Sequence, residues 1–129
     1  MSELPRITDA EWHVMDVVWQ KAPQTANEIV QALEGQVNWS PKTIKTLINR
    51  LVNKGALRFE KDGRTYLYSP AVEQASMEQG LVGGLLRGAF KGSADRLVLH
   101  ALESGEASRE ELEAIKALIA RYETEGSET

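Results

Sequence analysis

Lys42, Lys45, Thr46, Asn49, Arg50 and Asn53 recur at i, i+3, i+4, i+7, i+8 and i+11 within the stretch NWSPKTIKTLINRLVNKG, Asn38 to Gly55. That spacing places ammonium, guanidinium, amide and hydroxyl groups on one face of a helix. Such a set suits a polyanion with structured edges. Lys42, Lys45 and Arg50 can meet phosphates or guanine edges, while Thr43, Thr46 and Asn49 can meet phosphates, thymine methyls or adenine. The same residue types also make ordinary solvated helix surface, so the elements that position them decide between the two readings.

The opposite face of this helix is apolar. Ile44, Leu47, Ile48, Leu51 and Val52 form its buried stripe, with Ser40 as N-cap, Pro41 at the first helical position and Gly55 just past the end. About fourteen residues at the standard rise span roughly 21 Å. Two helices precede it. Thr8-Asp-Ala-Glu11 is a capping box ahead of Trp12, Met15, Val18 and Trp19, a stripe running to about Lys21. Ala22-Pro23-Gln24 breaks that helix. Thr25-Ala-Asn-Glu28 is a second capping box before Ile29, Val30 and Leu33, with Gly35 as the stop.

Downstream, Leu57–Lys61 and Arg64–Tyr68 flank Asp62-Gly63, which predicts a β-hairpin turning on that dipeptide, and Val37 is a candidate for a short third strand. Ser69-Pro70 closes the unit. Three short helices followed by a hairpin form a winged helix-turn-helix, the third helix lying where it can enter a major groove. Lys61 and Arg64, at the hairpin tip, then face the flanking phosphate backbone. The fold class expected is mainly α with a small β-hairpin.

Charge is distributed accordingly. The 129-residue chain is acidic overall at −4, yet residues 42–64 hold seven Lys/Arg against two Asp/Glu, giving +5. Residues 71–129 hold six against eleven, giving −5. A local basic patch, rather than net charge, decides where a polyanion docks. With no cysteine, disulfides, thiolate metal sites and cysteine nucleophiles are excluded. No apolar run reaches membrane-span length and MSELPRITD does not read as a signal peptide, so a cytoplasmic protein without membrane association is expected.

The rest reads as helix. Residues 71–90 carry Leu81, Leu85, Leu86 and Phe90 but also Gly80, Gly83, Gly84 and Gly88, which weaken helix propensity. Residues 94–103 carry Leu97, Val98 and Leu102. A third capping box, Ser108-Arg-Glu-Glu111, precedes Leu112, Ile115, Leu118, Ile119 and Tyr122, and Glu123–Thr129 reads as a frayed polar tail. Fifty-odd residues with scattered glycines make a thin core alone. These twelve apolar side chains are therefore assigned to a dimer interface, with a packed helical subdomain as the competing reading. The domains expected are 1–70, the winged helix, and 71–129, the dimerisation region.

Trp39-Ser-Pro-Lys-Thr-Ile-Lys-Thr-Leu-Ile-Asn-Arg-Leu51, followed by Lys54-Gly55, closely resembles the recognition-helix signature of the penicillinase-repressor (BlaI/MecI/CopY) family. Ile7-Thr-Asp-Ala-Glu-Trp-His-Val-Met15 with Val18-Trp19 is similar to that family's opening helix, and the likeness runs from about residue 7 to 122. The resemblance implies a homodimeric transcriptional repressor of resistance or stress genes, binding a dyad-symmetric DNA operator. It puts the base-reading pair on Lys45 and Thr46, and phosphate contacts on Lys42, Thr43 and Arg50. Some members have arginine where Lys45 stands; lysine lacks the planar bidentate fork, so the operator sequence does not carry over. Copper-responsive members use a cysteine-rich tail, which this chain lacks. Others are cut at an Asn-Phe bond by a sensor-linked protease, and His100-Ala101 stands at that position.

Other chemistry finds no support in the residues. His13 and His100 fall in different predicted regions, and no metal site, cofactor or catalytic residue is expected. His100 is expected at the dimer interface, and Trp12, Trp19 and Trp39 in the core rather than stacked on bases. Two rival functions remain: a winged-helix module that binds protein, and a non-specific nucleoid-type DNA binder.

Overall fold

The computed structural model describes residues 4–127. Its elements run α1 (Asp9–Gln20), α2 (Ala26–Leu33), α3 (Pro41–Lys54), β1 (Leu57–Asp62), β2 (Thr65–Pro70), α4 (Gln74–Arg87), α5 (Ala94–Glu103) and α6 (Arg109–Ser127). The chain forms two compact units, one ending at Leu81 and one beginning at Val82.

All three capping boxes form. Thr8 Oγ1 accepts from the Glu11 amide at 3.2 Å while Glu11 Oε1 accepts from the Thr8 amide at 2.8 Å. Thr25 with Glu28, and Ser108 with Glu111, repeat the exchange. Each box satisfies two backbone donors that a helix start otherwise leaves open, a contribution of about 1 kcal/mol per cap. The carboxyls of Glu28 and Glu111 are accordingly held below the ordinary carboxylate range by the backbone N–H groups they accept from.

The core of the first unit is built by Val14, Met15, Val17 and Val18 of α1, Ile29, Val30 and Leu33 of α2, and Ile44, Leu47, Ile48 and Leu51 of α3, closed by Ala56, Leu57 and Tyr68. Trp12 and Trp19, expected on the inward stripe, are only half-buried, and Val14 and Val17 are buried in addition. The cause is the number of neighbours. Helix α1 packs against α2, α3 and β2, so its buried arc is wider than one stripe and the large indoles are left at its rim. Trp19 is nonetheless pinned, its Nε1–H donating to the Val72 carbonyl at 3.0 Å.

The hairpin departs from expectation by one residue. Asp62 pairs with Thr65, so the two-residue loop is Gly63-Arg64 rather than Asp62-Gly63. Gly63 takes the positive φ of +65° that the first central residue of such a turn requires. The expected register would set Lys61 opposite Arg64, a like-charge pair; the observed one sets Lys61 opposite Tyr66 and Phe59 opposite Tyr68. The expected third strand from Val37 also fails to join the sheet. Gln24 takes that place, its amide and carbonyl bonding those of Tyr68 at 3.0 and 2.7 Å. Its buried side chain then donates to Val17 and Lys21 carbonyls, closing the C-terminal end of α1.

The second unit is helical as expected, but the frayed tail is not observed through Ser127: α6 continues over residues 123–127, and Glu128 and Thr129 lie outside the described residues. Among the side chains described from Val82 onward, none is buried.

Candidate nucleic-acid interface

Helix α3 begins where Ser40 Oγ accepts from the Thr43 amide at 3.2 Å, with Pro41 opening the first turn. It ends at Gly55, whose φ of +84° lets its N–H close on the Leu51 and Val52 carbonyls. Between these stops, Ile44, Leu47, Ile48 and Leu51 lock one side into the core. The opposite side is thereby turned outward. Lys42, Thr43, Lys45, Thr46, Asn49, Arg50 and Asn53 are all exposed. Acidic residues are absent from the first turn, so nothing there offsets the partial positive charge of the helix start.

Among the described residues, Lys42, Lys45, Arg50, Lys61 and Arg64 enter no ion pair. Thr46 differs: its hydroxyl donates back to the Lys42 carbonyl at 3.0 Å. Thr43 shares a hydroxyl bond of 3.0 Å with Ser40. The face thus presents free cations and the Asn49 amide, with two threonines whose hydroxyls are already engaged.

One charged residue of α3 is engaged by partners within the protein. Lys54 Nζ reaches Glu11 Oε1 at 2.5 Å and the Arg6 carbonyl at 2.9 Å. The Glu11 side chain is only 1% exposed, and its Oε2 has no hydrogen-bond partner. Burial pushes the Glu11 carboxyl up, but the bonds from Lys54 and from Thr8 outweigh it and hold the pKa below the ordinary value. This pair ties the end of α3 to the start of α1 and so helps set the angle at which the polar face is held. Sequence reasoning assigned Glu11 to the capping box and missed its second role. The signal that was available is a carboxylate on the inward side of an apolar helix, which needs a cation from elsewhere.

On the hairpin, Lys61 and Arg64 are exposed as expected. So are Phe59 and Tyr66, which meet edge-to-face at 5.0 Å. From Leu81 onward, the apolar residues assigned to the interface from sequence stand open in the single chain. Leu81, Leu85, Val98, Leu102, Leu112, Leu118, Ile119 and Tyr122 are exposed, while Leu86, Phe90, Leu97 and Ile115 are half-buried. Val82 and Leu99, which were not among the twelve assigned to the interface, are equally exposed. His100 is exposed with its ring 5.9 Å from Phe90, and His13 meets Trp39 at 5.4 Å. No group of three His, Cys, Asp or Glu able to hold a metal occurs among the described residues. No helix among them is long and apolar enough to cross a membrane.

A three-helix core closed by a two-stranded wing, with the third helix presenting an unpaired polar face, defines the winged helix-turn-helix class. The comparisons narrow this to a family. The profile for "Penicillinase repressor" matches residues 7–121, and the chain belongs to that family. It is 32% identical to the penicillinase repressor of Bacillus licheniformis, covering 99% of this chain and 100% of that one. It is 34% identical to the methicillin resistance regulatory protein MecI of Staphylococcus aureus, covering 88% and 92%. Among solved structures it is similar to monomeric Bacillus licheniformis BlaI in complex with the blaP half-operator. That match has 41% identity and a TM-score of 0.51 over 58% of this chain and 92% of the other.

Proposed function

We infer that the chain is a DNA-binding transcriptional repressor that acts as a homodimer on a dyad-symmetric operator, in the cytoplasm and without catalysis. The observation that carries this is the face of α3: three free cations and an amide held outward by a buried apolar stripe, with no internal acid to neutralise them. Family membership supports the reading, as does the likeness to a relative solved on operator DNA.

In this reading, Lys45 and Thr46 read bases from the exposed centre of α3. The Thr46 hydroxyl is occupied by the Lys42 carbonyl, so its contribution is the methyl group against a thymine methyl. Lys42, Thr43 and Arg50 take phosphates, Asn49 takes a phosphate or adenine, and Lys61 with Arg64 holds the backbone beside the groove. The winged-helix domain is residues 1–70 and the dimerisation region 71–129. Dimerisation rests on the open apolar side chains after Gly80. Burying even four of them in a partner contributes about 1.5–3 kcal/mol apiece, and a dimer makes the second half-site contact effectively intramolecular.

Release by a sensor-linked protease at His100-Ala101 is the further part of this reading. That bond lies inside α5, so cleavage requires the helix to open locally.

The test is a titration of duplexes at increasing salt. A palindromic operator is expected to bind far more tightly than random duplex, with affinity falling steeply with ionic strength as counterions are released. Affinity that ignores salt would instead identify a protein-binding module, and equal affinity for all sequences a nucleoid-type binder.

A further inference from the structure

A second site lies in the first unit, away from the residues assigned to DNA. Trp12, Asp16 and Trp19 follow one another at i, i+4 and i+7 on α1, the spacing of a single helical stripe. Gln74 and Glu78, at i and i+4 on α4, join them, and with His13 these residues line an open surface groove of about 260 Å³. The two indoles are 5.7 Å apart and inclined at 52°, forming two walls of a corner. Trp19 cannot swing away, because its Nε1–H is fixed on the Val72 carbonyl.

Asp16 Oδ2 accepts from Gln20 at 2.9 Å and Glu78 Oε2 accepts weakly from Gln74 at 3.4 Å. Among the described residues neither carboxylate has a cationic partner. Two aromatic walls with two unneutralised carboxylates repel anions and leave a neutral apolar guest with uncompensated charge beside it. They favour a guest with positive charge spread over an apolar surface, which the negative faces of indole rings also attract. A bare metal ion fits poorly, since no three ligating side chains converge.

We propose that this corner between α1 and the start of α4 is a binding site for a small organic cation of the quaternary ammonium class. A guest held there bridges α1 to the first turns of α4, both within the first unit. The site does not depend on DNA binding by α3.

The test titrates the full chain with choline while following tryptophan emission. The controls are 3,3-dimethylbutan-1-ol, which has the same shape without charge, and sodium chloride at matched ionic strength. Choline is expected to give a saturable response that neither control reproduces. The exposed, charge-only variant Asp16→Asn/Glu78→Gln, folded by circular dichroism, is expected to bind about tenfold more weakly, as two water-screened charges at contact range are lost. Trp12→Ala, at a residue outside the core, is expected to weaken it also. Lys45→Ala should leave the titration unchanged, which separates this site from the DNA reading. Equal responses to choline and the alcohol, unaltered affinity in the double-charge variant, or no saturation by about 10 mM choline would overturn the proposal.

Discussion

Replacing Lys54 with methionine keeps most of the side chain's bulk and removes its charge. In the native protein, Glu11 is buried to 1% and its charge is held by Lys54 at 2.5 Å and the Thr8 amide at 2.8 Å. Removing one partner of a buried pair costs about 3–5 kcal/mol, and Lys54 is one-third exposed, which places the loss near the lower end, about 3 kcal/mol at neutral pH. For a unit of this size that is a fall in Tm of about 12–24 °C.

The pH dependence carries a sign that ordinary packing loss would not. The Glu11 pKa is below its ordinary value of 4.5 in the native protein, so its stabilising contribution is present above that value and is lost as pH falls through the lower, folded value. In Lys54→Met the Lys54 bond and charge are gone while burial and the Thr8 bonds remain, so the folded pKa rises relative to that of the native protein. The variant then loses less stability than the native protein on acidification, and the gap between them narrows as pH falls from neutrality through the variant's folded value toward the lower native one. Urea denaturation followed by tryptophan emission at a series of pH values measures this, and Glu11→Gln alongside Lys54→Met completes a double-mutant cycle. A destabilisation under about 1 kcal/mol, or one that stays flat across this pH range, would refute the claim that this ion pair braces α3.

Three further outcomes are expected. Lys45→Ala should weaken operator binding by about 1–3 kcal/mol and relax preference at one base pair, whereas Lys61→Ala should weaken all duplexes alike and lower the salt slope by about 1, both read by gel-shift titration. Ile119→Glu, at a half-exposed apolar position of α6, should shift the chain from dimer to monomer in sedimentation while leaving the fold of the first unit intact. Thr25→Ala removes the acceptor for the Glu28 amide and should cost about 1 kcal/mol in thermal or chemical unfolding.

Local features of this protein were written in adjacent residues and could be read directly. The caps at Thr8, Thr25 and Ser108, the span of α3 from Pro41 to Lys54 and its polar face all follow from spacings of three, four and seven. Those depend on nearest-neighbour geometry of one helix, which a linear pattern encodes. The wing's existence was equally legible, because two β-prone runs around a glycine admit little else.

What remained hidden depends on neighbours far along the chain. The hairpin turned one residue later than Asp62-Gly63, in a register that keeps Lys61 from facing Arg64 across the strands. Gln24 rather than Val37 extended the sheet, and the two tryptophans of α1 moved to the rim, because three elements converge on that helix. The pairing of Glu11 with Lys54 across 43 residues belongs to the same class. A buried carboxylate announces that it needs a cation, but only the packed fold decides which cation arrives. Sequence alone determined the helices and their outward chemistry; tertiary packing decided which charges were neutralised within the protein and which were left free.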